Sequence, residues 1–90
     1  MGAHGLPQWA PLEKVVPEGE RIDWMWMGTV IRGDRHIEQY KHCDTRGYLS
    51  LDSTGQAWKV RYSDVPGEPA DVQPISTADA MARALRLEPA

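Results

Sequence analysis

The sequence predicts an α+β fold, in which a four-stranded antiparallel meander is covered on one face by a single C-terminal helix. Three observations lead to this fold class. The chain has 90 residues, enough for one small domain. In the middle of the chain, runs typical of strands alternate with short turn motifs. Near its end, a helix-capping motif precedes apolar residues at helical spacing. With 41% hydrophobic and 26% charged residues, the composition is typical of a globular domain and not of a disordered chain.

The first 21 residues predict an extended N-terminal arm, because Pro7, Pro11 and Pro17 punctuate them. Each proline fixes its own φ and disfavours the helical conformation in the residue before it. A single helical turn is expected over 11–16, with Pro11 at its first position. Trp9 is interpreted either as packing on the domain or as an exposed anchor for a partner.

The domain itself is expected over residues 22–87, and it begins with the strands. The segments predicted as strands are 22–31, 36–43, 48–51 and 56–62. The first is apolar on both alternating faces, which is typical of a strand covered on two sides. Two D-x-x-G motifs, starting at Asp44 and Asp52, flank the third strand and suit four-residue hairpin loops.

Loops of four residues fix a register, and the register sorts the side chains. It pairs Tyr40 with Leu51 and Leu49 with Trp58. The predicted core face carries Tyr40, His42, Leu49, Leu51, Trp58, Val60 and Tyr62. The predicted opposite face carries Lys41, Cys43, Tyr48, Ser50, Lys59 and Arg61. A slip of one residue in the first hairpin would exchange Tyr40 and His42 with Lys41 and Cys43. The register of the second hairpin is better supported, because only this register keeps Leu49, Leu51, Trp58 and Val60 together.

The C-terminal part predicts a linker loop over 63–75, rich in proline and acidic residues, and a helix over 77–87. The run from Ser76 to Asp79 is a variant of the capping box that begins helices. The expected packing stripe is Ala78, Met81, Ala82 and Leu85. A helix of this length requires the sheet for its stability.

Large apolar side chains on both faces of the first strand predict an interaction surface. One short helix cannot cover two faces of a sheet, so either the N-terminal arm or a partner covers the second face. Tryptophan and methionine are enriched at protein interfaces. The predicted apolar surface comprises Trp9, Trp24, Met25, Trp26 and Met27, and its expected partner is another protein or a second copy of the chain.

A second predicted surface combines cations with an aromatic ring. The net charge of −3 argues against a general nucleic-acid binder, but the charge is uneven: residues 32–48 carry four basic and three acidic side chains. The predicted basic-aromatic surface comprises Lys41, Arg46, Tyr48, Lys59 and Arg61. Such a surface stacks a nucleic-acid base or accepts an acidic partner. The alternative is an ordinary solvated sheet face.

The histidines and the single cysteine do not predict a metal site. His36 and His42 would lie about 20 Å apart along one strand, and Cys43 points away from His42. The sequence contains no phosphate-loop or nucleophile motif. A metal-independent ribonuclease would need a base near the cations, but the predicted register turns His42 toward the core. We therefore expect no catalytic residues, no metal and no cofactor.

The stretch from Tyr40 onward follows the pattern Y-K-H-x-x-T-R-x-Y-L-x-L-D-x-x-G, and with Gln56 and Ala57 it extends over residues 40–57. It resembles a segment of small uncharacterised bacterial proteins. The resemblance implies a bacterial or mobile-element origin and carries no activity.

The sequence thus predicts a non-enzymatic module that recognises another macromolecule. Small single domains of this kind act as inhibitors or accessory factors, including phage or plasmid antagonists of host defence. Nucleic-acid binding, with or without cleavage, is the alternative. No run approaches the ~20 apolar residues of a membrane span, the N-terminus lacks the build of a signal peptide, and a lone thiol fits a reducing compartment. The expected location is the cytoplasm.

Overall fold

A computed structural model describes residues 7–61 and 71–87 of the chain. Two α-helices and a short 3-10 helix flank a five-stranded antiparallel sheet. The elements in chain order are α1 (Ala10–Val15), the 3-10 helix (Glu18–Asp23), β1 (Trp24–Arg32), β2 (Arg35–His42), β3 (Tyr48–Asp52), β4 (Ala57–Arg61), β5 (Asp71–Ile75) and α2 (Thr77–Ala84). The strands lie side by side in sequence order.

The α+β class and the antiparallel meander are confirmed, but the predicted number of four strands is wrong. The fifth strand, β5, lies inside the segment 63–75 that was predicted as a linker loop. Its Pro74 pairs with Trp58 of β4. A proline is tolerated there because β5 is an edge strand and has no further neighbour to receive an N–H. Tyr62, predicted as the end of the fourth strand, and residues 63–70 of the predicted linker lie outside the described residues.

Within the predicted extended arm, the described residues from Pro7 onward include helical structure. Helix α1 begins just before Pro11, consistent with the single turn expected over 11–16. The 3-10 helix follows and leads directly into β1. Arg21 joins the two, since its Nε donates to the Val16 carbonyl oxygen at 2.9 Å and Nη2 donates to that of Glu13 at 3.2 Å.

The core lies between one face of the sheet, called here the helix-covered face, and the two α-helices. Its buried residues are Leu12, Val16, Trp24, Tyr40, Leu49, Leu51, Ala57, Ala80 and Ala84. The arm and α2 therefore cover the same face. Helix α2 ends at Ala84, three residues earlier than expected, and buries Ala80 and Ala84 where the sequence pattern predicts Ala78 and Ala82. Its predicted N-cap is confirmed, because Ser76 Oγ accepts from the Asp79 N–H at 3.1 Å.

The predicted register of the second hairpin is wrong by one residue. Ser50 pairs with Trp58 and Leu51 with Ala57. The loop has three residues, and Gly55 takes a left-handed φ of 89°. This is the common three-residue hairpin, in which a turn ends on a residue with positive φ. The slip moves Trp58 and Val60 to the opposite face of the sheet, away from Leu49 and Leu51. It also moves Lys59 and Arg61, predicted on the opposite face, to the helix-covered face.

The first hairpin differs from its predicted register by two residues, so its faces are preserved. Tyr40 pairs with Leu49 and Lys41 with Tyr48. The loop closes between His42 and Gly47, whose backbone groups bond at 2.9 Å, and Arg46 takes the left-handed φ of 63°. Tyr40 and His42 lie on the helix-covered face, whereas Lys41 and Tyr48 lie on the opposite face.

Candidate functional site

A concave feature of the surface lies where β3 and β4 diverge. These two strands pair only through Ser50–Trp58 and Leu51–Ala57. Beyond Ser50, β3 pairs with β2 alone and β4 pairs with β5 alone. The gap between the strands is closed from the helix-covered side by α2, whose Ala80 and Arg83 line it. The result is a cleft that passes into the sheet.

We call this feature the cationic cleft. It has a volume of about 320 Å³. Its lining residues are Gln39, Arg46, Gly47, Tyr48, Ser50, Trp58, Lys59, Val60, Ile75, Ala80, Arg83 and Arg86. Four of these are cations and two are aromatic, and no carboxylate lines the cleft within residues 7–61 and 71–87. Because it opens between two strands, the cleft collects side chains from both faces of the sheet.

The C-terminus of α2 docks on the first hairpin loop and so brings two arginines to the cleft. Thr45 Oγ1 donates to the Ala84 carbonyl oxygen at 2.6 Å, and Arg86 Nε donates to the Thr45 carbonyl oxygen at 2.8 Å. Gly47 provides the room for this contact, because a Cβ at that position would lie 2.0 Å from the Ala84 oxygen. The docking fixes the Arg86 guanidinium through Nε and leaves both terminal amino groups for other acceptors.

Two of the cleft cations occupy positions that favour glycine. Arg46 has a φ of 63° and Arg86 a φ of 56°. Arg86 ends α2 in a Schellman motif, in which Leu87 N donates to Ala82 O at 2.8 Å and Arg86 N to Arg83 O at 3.3 Å. A left-handed conformation costs an L-residue about 1–2 kcal/mol. The backbone alone therefore favours glycine at both positions, whereas the sequence supplies a cation.

Three of the cleft cations form no ion pair with a carboxylate in the described part of the chain: Arg46, Lys59 and Arg86. The ion pair described there joins Arg35 to Asp52, with 3.7 Å between Nε and Oδ2, and involves none of these three. Cations without a counter-ion around one concave surface create a positive potential that attracts anions.

Tyr48 forms an aromatic wall of the cleft and is half exposed. Lys41 pairs with it across β2 and β3 and places Nζ 5.8 Å from the ring centroid. Trp58 lines the cleft on the side of β4. Its Nε1 donates to Asp52 Oδ2 at 3.0 Å, and the Arg35 guanidinium lies 4.4 Å from its ring centroid. The Trp58 ring is thus held in place by contacts outside the cleft.

The structure brings most of the predicted basic-aromatic surface together. Arg46, Tyr48 and Lys59 line the cleft, and Lys41 lies beside Tyr48. Arg61 lies at the end of β4, opposite Asp71 of β5, and is not among the lining residues. Five further lining residues were not predicted from the sequence as part of this surface: Gln39, Ser50, Trp58, Arg83 and Arg86. Tight docking of α2 on Gly47, which places the arginines, leaves no local sequence signal.

The residues of the predicted apolar surface are not gathered into one exposed patch. Trp24 is buried, and Trp26 is half-buried with Nε1 donating to Glu38 Oε1 at 2.8 Å. Both lie on the helix-covered face. Trp9 packs against Tyr40, with 5.7 Å between ring centroids. Met25 and Met27 are exposed by 43% and 47%. A β-bulge between Trp26 and Gly28 interrupts the alternation of faces at Met27.

The His42 side chain stabilises the first hairpin loop and packs against Trp24. Its Nδ1 accepts from the backbone N–H groups of Asp44 and Thr45 at 3.2 and 3.3 Å, and its ring contacts Trp24 edge-on at 4.9 Å. It does not line the cationic cleft. Among the described residues no three histidine, cysteine, aspartate or glutamate side chains form a group that could hold a metal ion.

A second, shallower cavity of about 520 Å³ lies at the far end of the sheet. Its lining includes Asp34 and Asp52 together with Arg32 and Arg35. Mixed charge gives this cavity no net preference for anions or cations, so the cationic cleft is the stronger candidate site.

No protein-family model matches this sequence, and comparisons with curated proteins and with solved structures also found no match. Among the described residues, neither helix has the length and apolar character needed to cross a bilayer.

Proposed function

We propose that this protein is a non-enzymatic binding module that recognises single-stranded nucleic acid through the cationic cleft. The observation that carries the proposal is the lining itself: four cations, two aromatic rings and no described carboxylate. Backbone phosphates are recognised by arginine and lysine, and bases stack on aromatic side chains independently of sequence.

The net charge of −3 does not oppose this proposal at close range. Electrostatic interactions at the surface decay over about 10 Å at 0.1 M ionic strength. An anion inside the cleft is therefore governed by Arg46, Lys59 and Arg86 more than by distant acidic residues. The acidic remainder of the molecule limits long-range attraction, so we expect modest affinity and a small binding site.

Oligonucleotide binding is expected to weaken as the salt concentration rises. With one or two phosphates neutralised at the cleft, the plot of log affinity against log salt should have a slope of about −0.7 to −1.4 for a single strand. Between 50 and 200 mM salt this corresponds to roughly a 3- to 7-fold loss of affinity. Fluorescence anisotropy with labelled single-stranded RNA and DNA of about ten nucleotides measures it. Absence of binding at 50 mM salt would refute the proposal.

Arg46→Gly is the matched variant for this measurement. Glycine suits the left-handed backbone at this position, so the free energy of unfolding should rise by about 1 kcal/mol. Loss of one cation should nevertheless weaken oligonucleotide binding and make the binding less dependent on salt. A variant that is more stable and binds less cannot be explained by misfolding.

A second candidate function, binding of a protein partner, is favoured by the exposed apolar side chains of β1 and of the residues before it. Ile22, Met25, Met27 and Ile31 are exposed by 85%, 43%, 47% and 58%. β1 is also an edge strand and pairs only with β2 within the described sheet. We propose a second copy of the chain as the partner, added through this edge.

Self-association through β1 is expected to be abolished by Met27→Lys. A charged residue on an edge strand opposes strand addition, and the exposed position tolerates it. Size-exclusion chromatography with light scattering should give a dimer for the wild type and a monomer for the variant. Thr29→Lys, at an exposed polar position of the same strand, tests whether a charge at another point along this edge also prevents self-association. A wild type that stays monomeric up to about 1 mM would exclude the dimer.

We also propose a biological role and a cellular location for this binding module. A small binding module suits an inhibitor or accessory factor of a bacterial or mobile-element system, the origin that the resemblance over residues 40–57 suggests. The exposed free thiol of Cys43 is consistent with a reducing compartment such as the cytoplasm.

A further inference from the structure

We propose that the cationic cleft holds one nucleotide unit, with its phosphate among Arg46, Lys59 and Arg86 and its base stacked on Tyr48. This inference rests on the proposed function and names the unit that the cleft recognises. The same chemistry can come from a free mononucleotide or from the terminal nucleotide of a strand, and the experiment below distinguishes these sources.

The size of the cleft limits its occupant. At about 320 Å³, the cleft is at the lower end of the range for small-molecule pockets, ~300–1,000 Å³. It is closed on one side by α2 through Ala80 and Arg83. A blind cleft of this volume accommodates one small ligand and not a continuous strand passing through. A strand would therefore present a single unit to the cleft, and a terminal unit enters most easily.

The cations favour a phosphate with several free oxygens. Arg86 is fixed by its Nε bond to Thr45 and keeps two amino groups that no described acceptor occupies. Arg46 and Lys59 reach the cleft from the hairpin loop and from β4. A guanidinium binds phosphate through two parallel hydrogen bonds, whereas the ammonium acts as a point charge. A terminal phosphate, with its higher charge, satisfies more of these donors than an internal phosphodiester does.

The Tyr48 ring allows the cleft to bind a planar base in addition to a phosphate. Its ring is half exposed and lines the cleft, while Lys41 Nζ lies over the ring at 5.8 Å. A ring has two faces, so one face remains for a planar ligand. The neighbouring Ser50 adds a hydroxyl group to the lining. An aromatic wall beside a phosphate site matches the composition of a nucleotide.

The test compares five probes by isothermal titration calorimetry. Three are small: inorganic phosphate, a nucleoside and the corresponding nucleoside 5′-monophosphate. The other two are a ten-nucleotide strand with a 5′-phosphate and the same strand without it. The monophosphate is expected to bind more tightly than phosphate or nucleoside. Tyr48→Leu should weaken monophosphate binding about 5- to 100-fold and leave phosphate binding unchanged. Tyr48→Phe, which keeps the ring, should bind like the wild type.

The outcomes separate this inference from the proposed function. Preference for the 5′-phosphorylated strand, with competition by the free monophosphate, supports both and identifies the terminal nucleotide as the source. Binding of the monophosphate but of neither strand supports the inference with a free nucleotide as the source, and overturns the proposed function. Binding of both strands without competition by the monophosphate, or without an effect of Tyr48→Leu, overturns the inference and leaves the proposed function standing. Equal binding of inorganic phosphate and monophosphate also overturns the inference.

Discussion

Replacement of Gly47 by alanine is expected to destabilise the fold by about 3 kcal/mol or more. A Cβ at this position would lie 2.0 Å from the Ala84 carbonyl oxygen, 2.7 Å from its carbon and 2.8 Å from the Ala84 Cα. These are backbone atoms of α2, so no side-chain rotation relieves the clash. The helix must move away from the hairpin loop, which breaks the bonds of Thr45 to Ala84 and of Arg86 to Thr45.

Thermal and urea denaturation followed by circular dichroism measure the effect of Gly47→Ala. For a domain of this size, 3 kcal/mol corresponds to a fall in Tm of about 12–24 °C. Gly19→Ala is the control, because a Cβ at Gly19 meets nothing within 4 Å. Its free energy of unfolding should change by less than about 0.5 kcal/mol. If the two variants were equally stable, the close docking of α2 on Gly47 would be wrong.

Folded molecules of the Gly47→Ala variant should also lose oligonucleotide binding. Arg83 and Arg86 belong to α2 and its C-terminal turn, and they reach the cleft only while α2 is docked. The contact that stabilises the fold is thus the contact that assembles the site.

Local sequence chemistry predicted much of the fold. Proline and glycine positions, alternation of apolar residues and the Ser76 cap identified the helix, the antiparallel sheet and four of its five strands. β5 was missed because Pro74 and the acidic residues around it indicate a loop in isolation. Its strand conformation comes from pairing with β4, a long-range interaction that composition does not encode.

The site was predicted less completely, and a single loop explains much of the difference. The second D-x-x-G motif closes with three loop residues instead of four, so Trp58 moves to the face opposite Leu49. Turn residues alone do not distinguish the two loop lengths. Arg46 and Tyr48 of the predicted set still line the cleft, because they belong to or follow a loop whose position the motif does predict.

Replacement of Asp52 by alanine is expected to cost about 3–4 kcal/mol, because Asp52 organises the second hairpin. The residue is 7% exposed. Oδ1 accepts from Thr54 N at 2.9 Å, from Thr54 Oγ1 at 2.6 Å and from Gln56 N at 3.1 Å. Oδ2 accepts from Trp58 Nε1 at 3.0 Å and pairs with Arg35. Alanine would leave several of these donors without an acceptor in a half-buried site.

Asp52→Asn is the sharper variant, since it keeps the shape and one acceptor oxygen while removing the charge. We expect a loss of about 1–2 kcal/mol at neutral pH. Urea denaturation of wild type and variant at several pH values measures the difference. Other carboxylates are common to the two proteins, so the difference in their free energies of unfolding isolates the ionisation of Asp52.

The pH dependence of that difference has a definite sign. Burial acts to raise the pKa of Asp52, but hydrogen bonds from Thr54, Trp58 and the backbone outweigh it and hold the pKa below its usual value. The folded state therefore binds a proton less readily than the unfolded state. The stabilisation is fully present above the unfolded pKa of about 3.9 and is lost as the pH falls through the lower folded value. The advantage of the wild type over Asp52→Asn should thus be constant from pH 7 to about pH 5 and shrink below pH 4. An advantage that grew on acidification would show that burial, and not the hydrogen bonds to Asp52, dominates its ionisation.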